Sequence, residues 1–272
     1  MTGTDRPEGP HARNATESAE LRRLAHTLDV DPARLAMLAA VPPAQLRALR
    51  RQIAGALFEA DRPHFARVAA LSKTVPLPVA AKLTEATLPP LLAARTAELL
   101  EPAKAADLVT RVSERYLADV SAAMDASRAP EVVAAIPPGK VANVASELAR
   151  RGEWIVIAGF VEQVSEPALR ASVAELGGGQ LLHVADVMDD ASRLDLVGGM
   201  LTDTQLDELL AAAPAEGLWR ELGTLLAQLS PEPTQRLARR YAAAGPEVTA
   251  AYDRAVADGA LDATDHDRLT GR

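Results

Sequence analysis

The 272-residue chain contains no cysteine. That absence excludes disulfide bridges, thiolate zinc sites and cysteine nucleophiles together, and it fits an intracellular setting. Aromatic residues are scarce at 3%, with three phenylalanines, three tyrosines and two tryptophans. A core with so few rings has to be built from Ala, Leu and Val, which suits close helix–helix packing better than a β-sandwich. No apolar run approaches the roughly 18 residues of a membrane span. The opening stretch MTGTDRPEGPHARNATESAE has no apolar segment of the kind a secretory signal carries, so a cytoplasmic location is expected. Positive charge is not in excess either. A net charge of −8 leaves no overall electrostatic footprint for nucleic acid or anionic membrane. The short basic runs Arg22-Arg23, Arg50-Arg51, Arg150-Arg151 and Arg239-Arg240 read as solvated helix faces. Neither Gly139-Lys140 nor Gly177-Gly178-Gly179 stands in the strand–GxxxxGK[ST]–helix setting of a phosphate loop.

What the chain does contain is one passage written twice. IPPGKVANVASELARRGEWIVIAGFVEQVS begins at Ile136, and LTDTQLDELLAAAPAEGLWRELGTLLAQLS begins at Leu201. Gly152 falls on Gly217, Trp154 on Trp219, Gln163 on Gln228 and Ser165 on Ser230, each 65 positions on. Self-similarity at a fixed period marks a repeat architecture, in which each unit buries its apolar face against the next.

A single local device punctuates the chain: an apolar residue, a short Pro/Ser/Thr/Asp cap, then a helical stripe. It recurs at Val75, Leu100, Ile136, Val164, Leu201 and Leu229. Thr202-x-x-Gln205 fits a capping box, and Ser230 ahead of Pro231 and Glu232 is expected to cap in a similar way. Asp31-Pro32 and Val41-Pro42-Pro43 open earlier helices. Second helices are expected near Arg115, Glu131, Trp154, Gln180, Arg193 and Trp219, so that a unit comprises about four short helices. The triple glycine reads as a break before Gln180. WIVIAGFV has the propensity of a buried strand, but its partner WRELGTLLAQL is helical and decides the assignment.

The expected fold class is all-α: a right-handed superhelix, or α-solenoid, of short helical hairpins with an N-terminal cap or dimerisation region. Residues 1–17 read as a polar tail and 18–73 as an N-terminal helical region. Residues 74–257 read as the repeat domain, with 136–165 matching 201–230, and 258–272 as a polar tail that frays.

The rhythm of two short helices per step, with a proline- or acid-capped start after a leucine, resembles two families. They are the intracellular N-terminal domain of MgtE-type magnesium transporters and the FliG-type flagellar motor switch proteins. RAPEVVAAIPPGKVANVASEL and LTDTQLDELLAAA carry the likeness, which covers roughly residues 75 to 245. The resemblance implies a stack of short helices with a concave face for partners. The transporters' paired regulatory module and membrane helices are not in this sequence, and the motor proteins' charged torque helix is not identifiable in it.

No catalytic motif is present, and the candidate residues each read two ways. Asp186, Asp189, Asp190 and Asp195 offer the oxygen ligands a hard cation such as Mg²⁺ prefers, or they cap helices. Lys82, Glu85, Arg95 and Glu98 interrupt an apolar stretch. They form either a paired network lining a pocket for an acidic metabolite or charges snorkelling from a packed helix. His183 stands three residues before Asp186, the spacing of a base and its orienting carboxylate, or is a packed side chain. Leu57, Phe58 and Phe65 are the candidate interface, implying a homodimer. The leading expectation is a non-enzymatic scaffold that binds a protein partner or itself without membrane insertion and with no cofactor. The alternative is a small-molecule or Mg-responsive module, with enzymatic activity as one form of it. A nucleic-acid role would need a helix-turn-helix reader between Glu20 and Phe58, and the chain's acidity weighs against it.

Overall fold

The structure, a computed structural model, describes residues 20–25, 27–28, 30–42, 44–50, 52–53, 56, 77–188 and 190–271, with the backbone alone at 77–80 and 83. The protein is all-helical, and the described residues include no strand. Residues 20–25 and 44–50 are helical, on either side of a 3₁₀ helix at Pro32–Leu38. Asp31 caps that turn by accepting from the Ala33 N–H at 2.8 Å.

The first five α-helices are α1 (Leu77–Thr87), α2 (Pro90–Ala97), α3 (Pro102–Val109), α4 (Glu114–Ala123) and α5 (Pro130–Ala134). The next five are α6 (Pro138–Arg150), α7 (Trp154–Val161), α8 (Glu166–Glu175), α9 (Gly178–Asp186) and α10 (Ala191–Met200). The last five are α11 (Asp203–Glu216), α12 (Trp219–Gln228), α13 (Pro231–Ala242), α14 (Pro246–Ala257) and α15 (Ala263–Thr270). WIVIAGFV is α7, a helix in spite of its strand propensity, because three of its four β-branched residues are buried against neighbouring helices.

Proline stands at the first or second position of α2, α3, α5, α6, α8, α13 and α14. Its missing N–H costs nothing there, since the first amides of a helix have no intrahelical partner. The expected box at α11 forms: Thr202 Oγ1 accepts from Gln205 N at 3.3 Å, and Gln205 Oε1 accepts from Thr202 N at 3.1 Å. Ser230 departs from expectation, because its hydroxyl makes no capping bond. Its own N–H instead donates to Asp195 of α10 at 2.7 Å, so the acid that serves α13 comes from a different helix.

Most helices pack on their second neighbours, while α12 and α14 pack on their third neighbours α9 and α11. One ladder runs α2, α4, α6, α8, α10, and another runs α7, α9, α11, α13, α15; α1, α3 and α5 follow the same rule. The ladders join where α10 packs on α13. Polar rungs tie successive members, as where Arg240 Nε of α13 donates to Asp207 of α11 (2.8 Å), while Gln205 Nε2 of α11 reaches across to Val173 O of α8 (2.7 Å).

Helix starts recur at the 65-residue spacing, with Pro138 and Asp203 opening α6 and α11 and Trp154 and Trp219 opening α7 and α12. The intervening turns match as well. Gly152 and Gly217 have φ of 75° and 72°, a left-handed conformation that glycine adopts without a Cβ clash. In each turn the residue after the glycine bonds back five positions, Glu153 N to Leu148 O (3.0 Å) and Leu218 N to Ala213 O (2.9 Å). One period holds five helices, α6 to α10, where about four were expected. With an odd count α6 lies in the even series and its equivalent α11 in the odd, while α7 lies in the odd series and its equivalent α12 in neither.

The main core extends from Ala118 to Leu269 and is built mostly of Leu, Val and Ala, with Ile157 and Met188 among them and Tyr241 and Tyr252 the buried aromatics. An apolar cavity of about 60 Å³ remains within it, bounded by Leu169, Leu181, Met188 and Leu206 among others. Where a fraying tail was expected, residues 263–270 form α15. Leu261 and Leu269 are buried, and Arg268 donates to Leu226 O at 2.6 Å, which fastens α15 to α12.

Candidate functional site

Lys82, Glu85, Arg95 and Glu98 do not converge. Lys82 and Glu85 are exposed on α1, and Glu85 accepts from the N–H (3.3 Å) and hydroxyl of Ser113, the N-cap of α4. Glu98 belongs to a separate unit. Its side chain is 1% exposed and accepts from Arg95 at 3.0 Å and from Arg128 at 3.3 Å. Burial pushes the Glu98 carboxyl above its ordinary range, against the opposing pull of Arg95 and Arg128. The fork braces the end of α2 to the short 3₁₀ turn Ala126–Arg128.

The aspartates likewise have separate tasks. Asp186, 4% exposed at the end of α9, accepts from Arg22 (2.8 Å), Arg220 (2.7 Å) and the Thr224 hydroxyl (3.3 Å). Asp190 caps α10 through the N–H groups of Ser192 (2.8 Å) and Arg193 (3.3 Å). Asp195 holds the Ser230 amide, and Asp189 lies outside the described residues. Among the described residues no group of three or more His, Asp or Glu side chains is placed to hold a metal ion. A cation at Asp186 would sit beside two guanidiniums, and Coulomb repulsion opposes that.

His183 stacks on Trp154, with ring centroids 4.9 Å apart and planes at 17°. Asp186, its proposed orienting partner, faces Arg22, Arg220 and Thr224 instead. Trp219 meets Tyr252 edge-on at 5.0 Å and 90°. Both tryptophans open a helix, but their ring partners differ. Leu57, Phe58 and Phe65 lie outside the described residues. The large apolar side chains exposed among the described residues are Leu28 (36%), Met37 (82%), Leu49 (37%) and Leu91 (53%).

Two charged assemblies escaped the sequence reading. In the first, Glu20 is 0% exposed and accepts from Arg23 (3.4 Å), Arg47 (3.2 Å) and Arg50 (3.4 Å). Burial lowers the Arg23 guanidinium to about 10, with Glu20 acting in the opposite direction. This cluster ties the helix at 20–25 to the helix at 44–50, and Arg22–Asp186 fastens the former to α9. The helical spacing of Arg22, Arg23, Arg47 and Arg50 was the available signal, and the basic pair read as solvated proves to be engaged.

The second assembly is an open cleft of about 400 Å³ between α4 and α6, lined by Arg115, Asp119, Arg150 and Arg151. Arg151 donates to Asp119, to Glu147 (2.8 Å) and to the main-chain oxygen of Arg115 (3.2 Å). Arg150 clamps Glu147 through Nε (2.9 Å) and Nη2 (2.7 Å). Hydrogen bonds from Arg150 and Arg151 hold the Glu147 carboxyl down to about 2. The Arg115 guanidinium makes no hydrogen bond or ion pair among the described residues.

Among the described residues no helix is long and apolar enough to cross a membrane. Comparison with known proteins gives no matching family model, no matching curated protein and no matching solved structure.

Proposed function

We propose that the chain is a non-enzymatic helical-repeat scaffold that binds protein through its N-terminal end, in the first instance a second copy of itself. In this reading the second-neighbour packing of short helices is a superhelical stack with a 65-residue unit, akin to the magnesium-transporter and motor-switch domains. The observation that carries the proposal is the difference between the two ends. Every large apolar side chain exposed among the described residues lies before residue 92. The other end is closed by α15, whose sequence ATDHDRLT presents charge and buries Leu269. A stack needs a polar cap at each end, and an end that lacks one is an association surface. The alternative, a metabolite or Mg²⁺ response seated on Lys82–Glu98 or Asp186–Asp195, draws no support from the described carboxylates: Glu85, Asp190 and Asp195 serve helix starts, Glu98 pairs with Arg95 and Arg128, and Asp186 with Arg22 and Arg220.

Sedimentation velocity over a micromolar concentration series tests the reading. A dimer is expected, shifted towards monomer by Met37→Asp or Leu91→Asp, while an equivalent charge at exposed Ala211 changes nothing. A monomer at every concentration removes self-association. Dimerisation unaffected by either N-terminal substitution moves the interface elsewhere.

A further inference from the structure

We propose that the cleft between α4 and α6 is a binding site for the dianionic phosphate group of a small molecule, with Arg115, Arg150 and Arg151 as its donors. The chemistry of the lining selects the ligand. Three guanidiniums face an open volume of about 400 Å³, and the one other lining residue is Asp119. Among the described residues no aromatic or aliphatic side chain lines the cleft, so the anionic head must supply the recognition. Planar guanidiniums match the oxygens of phosphate with paired N–H donors.

The geometry is held in advance. Arg151 is fixed on three sides by Asp119, Glu147 and the Arg115 carbonyl, and Arg150 by its two bonds to Glu147. Arg150 uses Nε and Nη2 on Glu147, which leaves Nη1 to donate elsewhere. Arg115 keeps its whole guanidinium for a ligand, with the first turn of α4 placing it on the rim. Three positive charges against Asp119 and Glu147 leave the cleft positive on a chain of net charge −8. Electrostatic focusing in a walled cleft then favours a ligand with two negative charges over one with a single charge. The volume suits a sugar phosphate or a similar metabolite. None of this depends on the apolar N-terminal face, so the cleft and the scaffold reading stand or fall separately.

Arginine Nε–Hε resonances of the full-length protein provide the test, titrated with inorganic phosphate and with chloride at equal ionic strength. Phosphate is expected to shift the Arg115 and Arg150 signals saturably and chloride is not, because screening alone acts on all exposed charges alike. Binding should strengthen between about pH 5.5 and pH 8 as phosphate takes its second charge. Arg115→Gln should weaken binding about tenfold, the worth of one charged hydrogen bond. Since the Arg115 guanidinium is exposed and makes no bond among the described residues, the variant should keep the parent's melting temperature, and Arg150→Gln provides a second reading. A shift that fails to saturate, that chloride reproduces, or that persists undiminished in both variants overturns the site. Tighter binding of a phosphoserine peptide than of hexose phosphate overturns the assignment to a small molecule.

Discussion

The hydroxyl of Tyr252 donates to the carbonyl oxygen of Leu210 at 3.0 Å, across 42 residues of sequence. Leu210 lies four residues before Pro214, which stands inside α11 and has no N–H to return. A tyrosine in α14 therefore supplies the donor that the proline takes from its own helix. Tyr252 is 0% exposed, and burial raises its phenol above the ordinary range, so the proton stays in place to donate. Tyr252→Phe should destabilise the fold by about 1–2 kcal/mol, the cost of a buried acceptor left without a donor. In a Pro214→Ala background the helix regains its own N–H and the loss should shrink. Urea unfolding of the four proteins measures the coupling, and strict additivity would contradict this pairing.

Gly178 lies directly on the backbone of α11, where an added Cβ would come within 2.4 Å of the Glu208 carbonyl carbon. The triple glycine is therefore a close helix crossing as well as a helix start, since α9 already begins at Gly178. Gly178→Ala should cost about 2–3 kcal/mol, because a helix backbone cannot yield as a flexible side chain does. Gly159, inside α7 with open space around it, is the contrast. Gly159→Ala should stabilise by up to about 1 kcal/mol. Chemical denaturation of the two variants should move in opposite directions.

The matched turns at Gly152 and Gly217 predict matched penalties. A Cβ meets nothing closer than 3.8 Å at Gly152 and nothing within 4 Å at Gly217, so the strain of positive φ acts alone. Each glycine-to-alanine change should destabilise by about 1–2 kcal/mol. Equal shifts in urea midpoint would support the 65-residue unit, and a several-fold disparity would argue against equivalent turns.

Two glutamates should respond to pH with opposite sign. Glu147, held down to about 2 by Arg150 and Arg151, binds fewer protons in the folded than in the unfolded chain between that value and the ordinary 4.5. Its contribution is present above 4.5 and is lost as pH falls towards 2. Glu98 is raised by burial, so its charged form grows less favourable in the fold as pH climbs past the ordinary range. Melting temperatures from about pH 2 to pH 8 should show Glu147→Gln losing most, relative to the parent, at neutral pH. Glu98→Gln should gain relative to the parent as pH rises.

Local grammar was readable in the sequence. Prolines at helix starts, the Thr202–Gln205 box and the paired tryptophans located most elements, because each acts through neighbours within a few residues. Repeat logic placed α7 correctly where propensity alone favoured a strand. Pairing across the fold was hidden. Nothing local to Asp186 indicates that Arg22 and Arg220 meet it, and the same carboxylates read equally well as ligands. Glycine at position 178 has the same letter whether it ends a helix or admits another backbone. The polar spacing of Asp262 to Arg272 concealed α15, because only Leu261 and Leu269 carry its apolar anchor.

The Arg22–Asp186 bond has a consequence for how the chain leaves the ribosome. The bonds along the helix ladders join residues about 30 apart, such as Arg240 to Asp207 at 33, whereas Arg22 and Asp186 are separated by 164. Closing the longer loop costs about 1.5 kcal/mol more in chain entropy. Synthesis at about 5–20 residues per second puts Arg22 into the cell some 8–30 s before its partner. Most helices from α1 onward can meet their second neighbour soon after emerging. Glu20 can meet Arg23, Arg47 and Arg50 early, but Arg22 must remain in water until α9 arrives, so a residue made early is among the last to be secured.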